Sequence, residues 1–207
     1  MTTPEIQATP KQIVEAFAQV AQPIIRYASH DVDSCIVSTR IAVDVFHHFR
    51  LLARPLVARK VVFNEAALRL TPDATAADYA KACIVRVGYG DGPVPTGFWS
   101  GHLVAVVERE FLVDSVADQA NVRDSGIELP GVLLHTVDNA FLSARSKLYG
   151  SYGGCGVRYE AFPVERSYTS TPDWRRQPSA DGESRTQEGV RAIIREVSHL
   201  IRARARA

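Results

Sequence analysis

The stretch HLVAVVEREFLVD, residues 102–114, decides the fold, because two apolar runs in it flank three charged residues at 108–110. Apolar runs separated by a short polar turn predict a β-hairpin. If residues 108–110 form a three-residue loop, the strand register places Val104 opposite Asp114. His102 then shares a face of the sheet with Asp114 as its diagonal neighbour, within side-chain reach. A two-residue loop would put the two side chains on opposite faces.

Helical patterns precede this hairpin, and further strands lie on both sides of it. A Thr-Pro pair at 9–10 is typical of a helix start, and apolar residues at helical spacing predict a helix over 10–27. Asp33 is a natural N-cap for a second helix that runs to about Ala53. The other predicted elements are strands at 55–63, 83–87, 132–137 and 156–163, helices at 75–82 and 140–148, and a flexible glycine-rich connection at 150–156.

The C-terminal part of the sequence differs in composition from the rest. Apolar residues nearly vanish between 165 and 187, which predicts a poorly ordered polar linker. Residues 188–207 predict a basic amphipathic helix, whose apolar stripe must be buried on the parent domain or on a second copy in a homodimer. The sequence therefore predicts one α+β domain over 1–164 with helices and an antiparallel sheet, followed by this linker and terminal helix.

Length and composition exclude several classes of protein. The 207 residues are 46% hydrophobic, and 24 basic residues nearly balance 23 acidic ones. Such a chain can bury a core without disulfides, and it is neither a strongly basic nucleic-acid binder nor an acidic solvating protein. The sequence shows no secretory leader and no apolar run long enough to span a membrane, so we expect a soluble, cytoplasmic protein. Its three cysteines form no CxxC pair, and we expect no metal site and no cofactor.

Three residues combine into a candidate reactive site: Cys35 in the first turn of the second helix, His102 and Asp114. A helix N-terminus and an imidazolium neighbour lower the pKa of a cysteine thiol, which is about 8.5 in a free cysteine. Asp114 can hold the imidazole in one tautomer. The alternative for each residue is structural: a core cysteine, a buried structural histidine and a turn-capping aspartate.

A cysteine at the head of a long helix, a strand that begins with His and a strand that ends in Asp together resemble the papain-like superfamily. The likeness is carried by DSCIVSTRIAVDVF, WSGHLVAVV and FLVDSVADQA, within residues 30–122. The order Cys-His-Asp is most similar to the transglutaminase-like and arylamine N-acetyltransferase-like branch. The resemblance implies a papain-like fold, with the Cys35 helix packed on an antiparallel sheet. It also implies that Cys35 is the nucleophile, His102 the general base and acid, and Asp114 the orienting residue.

The sequence departs from these families around the cysteine. No Arg-Gly-Gly precedes Cys35, Ile36 rather than Trp follows it, and no Gln lies just upstream to stabilise an oxyanion. Trp99, three residues before His102, is a candidate substrate-binding wall or oxyanion contributor. Gln119 is a second candidate substrate-binding residue, with an ordinary polar loop position as the alternative.

These observations predict an enzyme that attacks an amide, thioester or similar acyl carbon through Cys35 and forms an acyl-enzyme, which passes to water or to an amine. The expected partner is a protein, a peptide or a small acyl substrate, and neither a membrane nor a nucleic acid. The alternative is a catalytically inactive papain-like scaffold that acts as a protein-binding or regulatory module through its basic terminal helix.

Overall fold

The computed structural model of this chain describes residues 8–29, 35–88, 101–161 and 182–206, and it is an α+β structure. The helices are α1 (Pro10–Ala28), α2 (Cys35–His48), α3 (Glu65–Leu68), α4 (Ala76–Lys81), α5 (Asn139–Leu142) and α6 (Gly182–Arg204). The strands are β1 (Ala53–Phe63), β2 (Ile84–Val87), β3 (His102–Val107), β4 (Phe111–Asp114), β5 (Leu133–Thr136), β6 (Lys147–Tyr152) and β7 (Cys155–Ala161). A single 3₁₀ turn is described, at Ala117–Ala120. None of the described helices is both long and apolar enough to cross a membrane.

The sheet is antiparallel throughout and is built around the long strand β1. Its order is β5-β4-β3-β1-β7-β6, and β2 pairs with the second half of β1. In the hairpin of β3 and β4, Val107 pairs with Phe111 and Ala105 with Val113, so the predicted three-residue loop is confirmed. The hairpin therefore has the register that puts His102 and Asp114 on one face of the sheet.

The two faces of the sheet bury separate cores. One face, which includes Ala105 and Val113, packs against α1, α2 and α6. The other face, which includes Val104 and Leu112, packs against α5 and the chain around the 3₁₀ turn. The outer strands β5 and β6 come together on this side, where the Tyr152 hydroxyl donates a hydrogen bond to the Leu134 carbonyl at 2.6 Å. His102 and Asp114 belong to this second face.

The terminal helix α6 lies against the body of the same chain. The predicted apolar stripe is buried, with Ile193, Val197 and Ile201 packed against α1 and α2. Of the two predicted alternatives, the structure thus shows burial of the stripe on the parent domain. A homodimer through this helix stays a prediction. The helix begins at Gly182 rather than at 188, so residues 182–187, predicted as linker, are helical. Most of the predicted linker lies outside the described residues.

Three predicted elements differ from the structure. The helix expected over 140–148 ends at Leu142, and residues from Lys147 onward form β6. The glycine-rich segment expected to be a flexible connection instead forms the hairpin of β6 and β7, because Gly153 and Gly154 adopt the positive φ angles of a tight turn. The second helix ends at His48 instead of continuing to Ala53, which is the first residue of β1.

The C-terminus of α5 provides a test of backbone strain. Arg145 N donates to Ala140 O and Ala144 N donates to Phe141 O, each at 2.9 Å, which is the hydrogen-bond pattern of a Schellman motif. This motif places Ala144 at a φ of 55°, in the left-handed region where a Cβ atom is unfavourable. We expect Ala144→Gly to raise the free energy of unfolding by about 1 kcal/mol in urea denaturation.

The matched control is Ala18→Gly, in the right-handed interior of α1, where glycine should lower the free energy of unfolding by about 1 kcal/mol. An equal decrease in the free energy of unfolding in both variants would show that the backbone at Ala144 is not strained.

Candidate active site

His102 and Asp114 meet inside the protein as the hairpin register predicts. His102 Nε2 lies 2.9 Å from Asp114 Oδ1, and both side chains are fully buried. The two groups are at ion-pair distance, but Nε2 makes no hydrogen bond of acceptable geometry among the described residues. Because Nε2 faces the carboxylate and Nδ1 has no hydrogen-bond partner among the described residues, Nδ1 is the ring nitrogen available to accept a proton.

The second carboxylate oxygen of Asp114 is held by two residues that the sequence analysis did not identify. Lys60 Nζ lies 2.9 Å from Asp114 Oδ2, and the Tyr159 hydroxyl donates to the same oxygen at 2.7 Å. Lys60 also donates to the Ala117 carbonyl at 3.2 Å. Burial opposes ionisation of Asp114, but His102 and Lys60 together hold the pKa of its carboxyl well below the usual range. Asp114 is therefore a buried carboxylate between two basic groups.

Strand pairing explains why these side chains converge. Lys60 in β1 is opposite Tyr159 in β7, so the two share a face of the sheet. On the other side of β1, His102 is opposite Ala58, two residues before Lys60 and therefore on the same face. Asp114, the last residue of β4, completes the group. Four strands thus contribute one polar side chain each to a single buried cluster.

Cys35 lies near this cluster, on the helical side of the sheet. It is the first residue of α2, and its sulfur is hydrogen-bonded by the backbone of Leu103, the residue that follows His102. Thr39, one turn further along α2, donates its hydroxyl to the Leu103 carbonyl at 2.9 Å. Both backbone groups of Leu103 are thus engaged by α2, and this places Cys35 beside the strand that carries His102.

A gap in the strand pairing makes this contact possible. Continued in register, β3 and β4 would pair Leu103 with Ser115, but their pairing stops at Ala105 and Val113. The N-terminal turn of α2 takes the place that a residue of β4 would occupy. Ser115 is itself buried, and its hydroxyl has no hydrogen-bond partner among the described residues.

The protonation states of Cys35 and His102 differ from the lowered thiol pKa that the sequence predicts. Burial raises the pKa of the Cys35 thiol, and the charge of Asp114 raises it further, against the Leu103 backbone and Lys60. Burial also lowers the pKa of His102, with Lys60 acting in the same direction and Asp114 opposing both. A lowered thiol pKa was expected from the helix N-terminus, but desolvation, which the sequence does not display, outweighs it. At neutral pH Cys35 is therefore a thiol and His102 a neutral imidazole.

Of the two candidate substrate-binding residues, the structure describes only Gln119. Trp99 lies outside the described residues, as does Asp33, the expected N-cap of α2. Gln119 is half-buried in the 3₁₀ turn Ala117–Ala120, whose first carbonyl accepts a hydrogen bond from Lys60. The turn that carries Gln119 is thus attached to the Asp114 cluster, and its contact with substrate stays a prediction.

The other two cysteines lie away from this cluster. Cys83 precedes β2, where its backbone is hydrogen-bonded by Asn64. Cys155 is buried in the second core and begins β7. All three cysteines are free thiols. The described residues contain no group of His, Cys, Asp or Glu side chains suited to a metal ion.

Comparison of the chain with known protein families, with curated proteins and with solved structures gives no match.

A third histidine borders the cluster and provides a test of its burial. The ring of His135 lies 5.3 Å from the rings of both Tyr152 and Tyr159, and burial lowers its pKa to about 4. A histidine in the unfolded chain has a pKa near 6.5, so the unfolded chain binds this proton first as the pH falls. The histidine thus favours folding above pH 6.5, and this contribution is lost between about 6.5 and 4.

We expect His135→Phe, which retains the ring packing, to flatten the fall in the free energy of unfolding between pH 7 and pH 4. Urea denaturation at several pH values measures this slope. His102 adds to it in the same direction and remains in the variant, so the slope should be reduced rather than abolished. His48→Phe, at an exposed position of α2, controls for the loss of a histidine as such. An unchanged slope in His135→Phe would contradict the assignment.

Proposed function

We propose that this protein carries out cysteine-dependent acyl chemistry on an amide, thioester or similar substrate, with Cys35 as the nucleophile. The observation that carries the proposal is the buried contact of His102 Nε2 with Asp114 at 2.9 Å, which leaves Nδ1 free on the strand that Cys35 contacts. A nucleophile, a base and a group that orients the base are the components that acyl transfer requires.

The proposed reaction follows from the protonation states of the site. As the Cys35 sulfur attacks the acyl carbon, its proton passes to His102 Nδ1, and the new S–C bond displaces the carbonyl π pair onto oxygen. The imidazolium then gives that proton to the leaving amine or thiol as its bond to carbon breaks, which produces an acyl-enzyme. Water or an amine attacks this thioester by the reverse sequence and restores the free thiol.

Backbone amides at the start of α2 are candidates for stabilising the oxyanion. The first amides of a helix have no partner within the helix, and they carry its positive dipole end. Since Cys35 is the first residue of α2, a carbonyl oxygen at its sulfur would lie near these groups. The papain-like and transglutaminase-like assignment is a proposal of the same kind, supported by the α+β fold, the Cys-His-Asp order and the packing of α2 on the sheet.

A second candidate function is a catalytically inactive papain-like scaffold that binds a protein or regulates one. The complete burial of His102 and Asp114, together with the raised pKa of the Cys35 thiol, favours this alternative. Cys35 itself is half-buried, so an acyl group must reach a thiol whose neighbouring base has no exposed surface among the described residues. The two functions are separated by whether Cys35 can be acylated in the folded protein.

The experiment uses p-nitrophenyl acetate, an activated acyl donor, with intact-mass spectrometry and peptide mapping of the folded protein. We expect one acetyl group on Cys35, none in Cys35→Ala, and acylation at least about 100-fold slower in His102→Ala because the general base is lost. Cys83→Ala, which removes a partly exposed cysteine outside the cluster, is the matched control and should keep the wild-type rate.

Equal acetylation of all three cysteines, or acetylation of Cys35 only after unfolding, would exclude the catalytic proposal and leave the scaffold.

A further inference from the structure

The carboxylate of Asp114 serves two cationic or potentially cationic partners at once. His102 lies 2.9 Å from Oδ1 and the Lys60 ammonium 2.9 Å from Oδ2, and all three side chains are fully buried. The sum of the charges is zero when His102 is neutral. Protonation of His102 would leave a second buried cation without a second anion, which is unfavourable in a low-dielectric interior.

Hydrogen bonds also satisfy Lys60 and Asp114 when His102 is neutral. The ammonium of Lys60 contacts Asp114 Oδ2 and the Ala117 carbonyl, and Tyr159 supplies a neutral hydroxyl to the same carboxylate oxygen. The carboxylate therefore has its charge balanced by Lys60 alone. An isolated His–Asp pair would instead favour the imidazolium, since the histidine would be the only counter-charge.

We propose that Lys60 is a positioning residue that neutralises Asp114 and so holds His102 as the neutral imidazole that accepts the proton of Cys35. This inference rests on the proposed function. In this mechanism His102 removes the proton of Cys35 as the sulfur attacks the substrate, and no thiolate–imidazolium pair is formed beforehand.

The titratable groups of the described chain that interact electrostatically with His102 or with its partner Asp114 come from six elements packed around them. Asp114 is the only one with a negative charge at neutral pH, and Lys60 the only one with a positive charge. The groups are Asp114 from β4, Lys60 from β1, Tyr159 from β7, His135 from β5, Tyr152 from β6 and Cys35 from α2.

The decisive experiment is an NMR pH titration of the ring C–H signals of His102, assigned by comparison with His102→Gln. In Lys60→Met we expect the titration midpoint of His102 to rise by about one pH unit or more relative to wild type, because Asp114 then has no other cation. Lys60→Arg retains the charge and should give a midpoint near that of wild type.

Lys147→Met is the matched control for the loss of a lysine. Lys147 also contacts a carboxylate on a neighbouring strand, Glu160 at 3.1 Å, but it is half-exposed and outside the cluster. It should leave the midpoint of His102 unchanged. An equal midpoint in Lys60→Met and wild type would overturn the inference.

A second measurement needs only the wild-type protein and can overturn the inference even if Lys60→Met does not fold. Iodoacetamide alkylation of Cys35, followed by peptide mass spectrometry, should be at least about tenfold slower at pH 6 than at pH 8, because the thiolate forms only near the pKa of a free or raised thiol. A nearly constant rate between these pH values would show a preformed ion pair and overturn the inference.

The two proposals fail in different ways. Absence of acetylation at Cys35 would end the acyl-transfer proposal, while the NMR titration would still report the effect of Lys60 on His102. If Cys35 is acetylated and Lys60→Met leaves the midpoint of His102 unchanged, only the role of Lys60 is refuted.

Discussion

The ionised carboxylate of Asp114 is the constraint on which the rest of the structure depends. Removing a carboxylate from water costs several kcal/mol, and it is tolerated only where charge and hydrogen bonds compensate. Here the compensation comes from β1, β3 and β7 together, through Lys60, His102 and Tyr159. The sheet must therefore keep these strands in register, since a one-residue slip in any of them would leave a buried charge without its partner.

The part of this arrangement that could be predicted from sequence is the part set by local rules. The loop at 108–110 fixes the register of its hairpin, so the proximity of His102 and Asp114 follows from counting residues. The helix over 10–27 and the strand of β1 are similarly local. By contrast, Lys60 is in the run ARKVVF, where a lysine is ordinarily read as solvent-exposed, and its burial depends on a strand that lies about a hundred residues away in the chain.

Other features were missed because their cause is also non-local. The strand β6 has glycine at 150, which predicts a flexible segment, yet the small residue is required because a Cβ there would lie 2.2 Å from the ring of His135. His135 packs there against Tyr152 and Tyr159, so side chains of β5, β6 and β7 surround the glycine position. Desolvation of Cys35 belongs to the same class, since it arises from packing on β3 and not from the helix that begins at that residue.

The engagement of Leu103 by α2 has a consequence for how this chain can change in evolution. Cys35 and Thr39 bond to the backbone of Leu103, so substitution of the leucine side chain need not disturb them. The spacing of Cys35 from His102 is thus independent of the loop at 108–110, which sets only the spacing of His102 from Asp114. An insertion in that loop would separate the base from its orienting carboxylate and leave the nucleophile in place. Length changes in this hairpin therefore act on the pairing of His102 with Asp114, whereas replacement of the buried Leu103 side chain acts on the core.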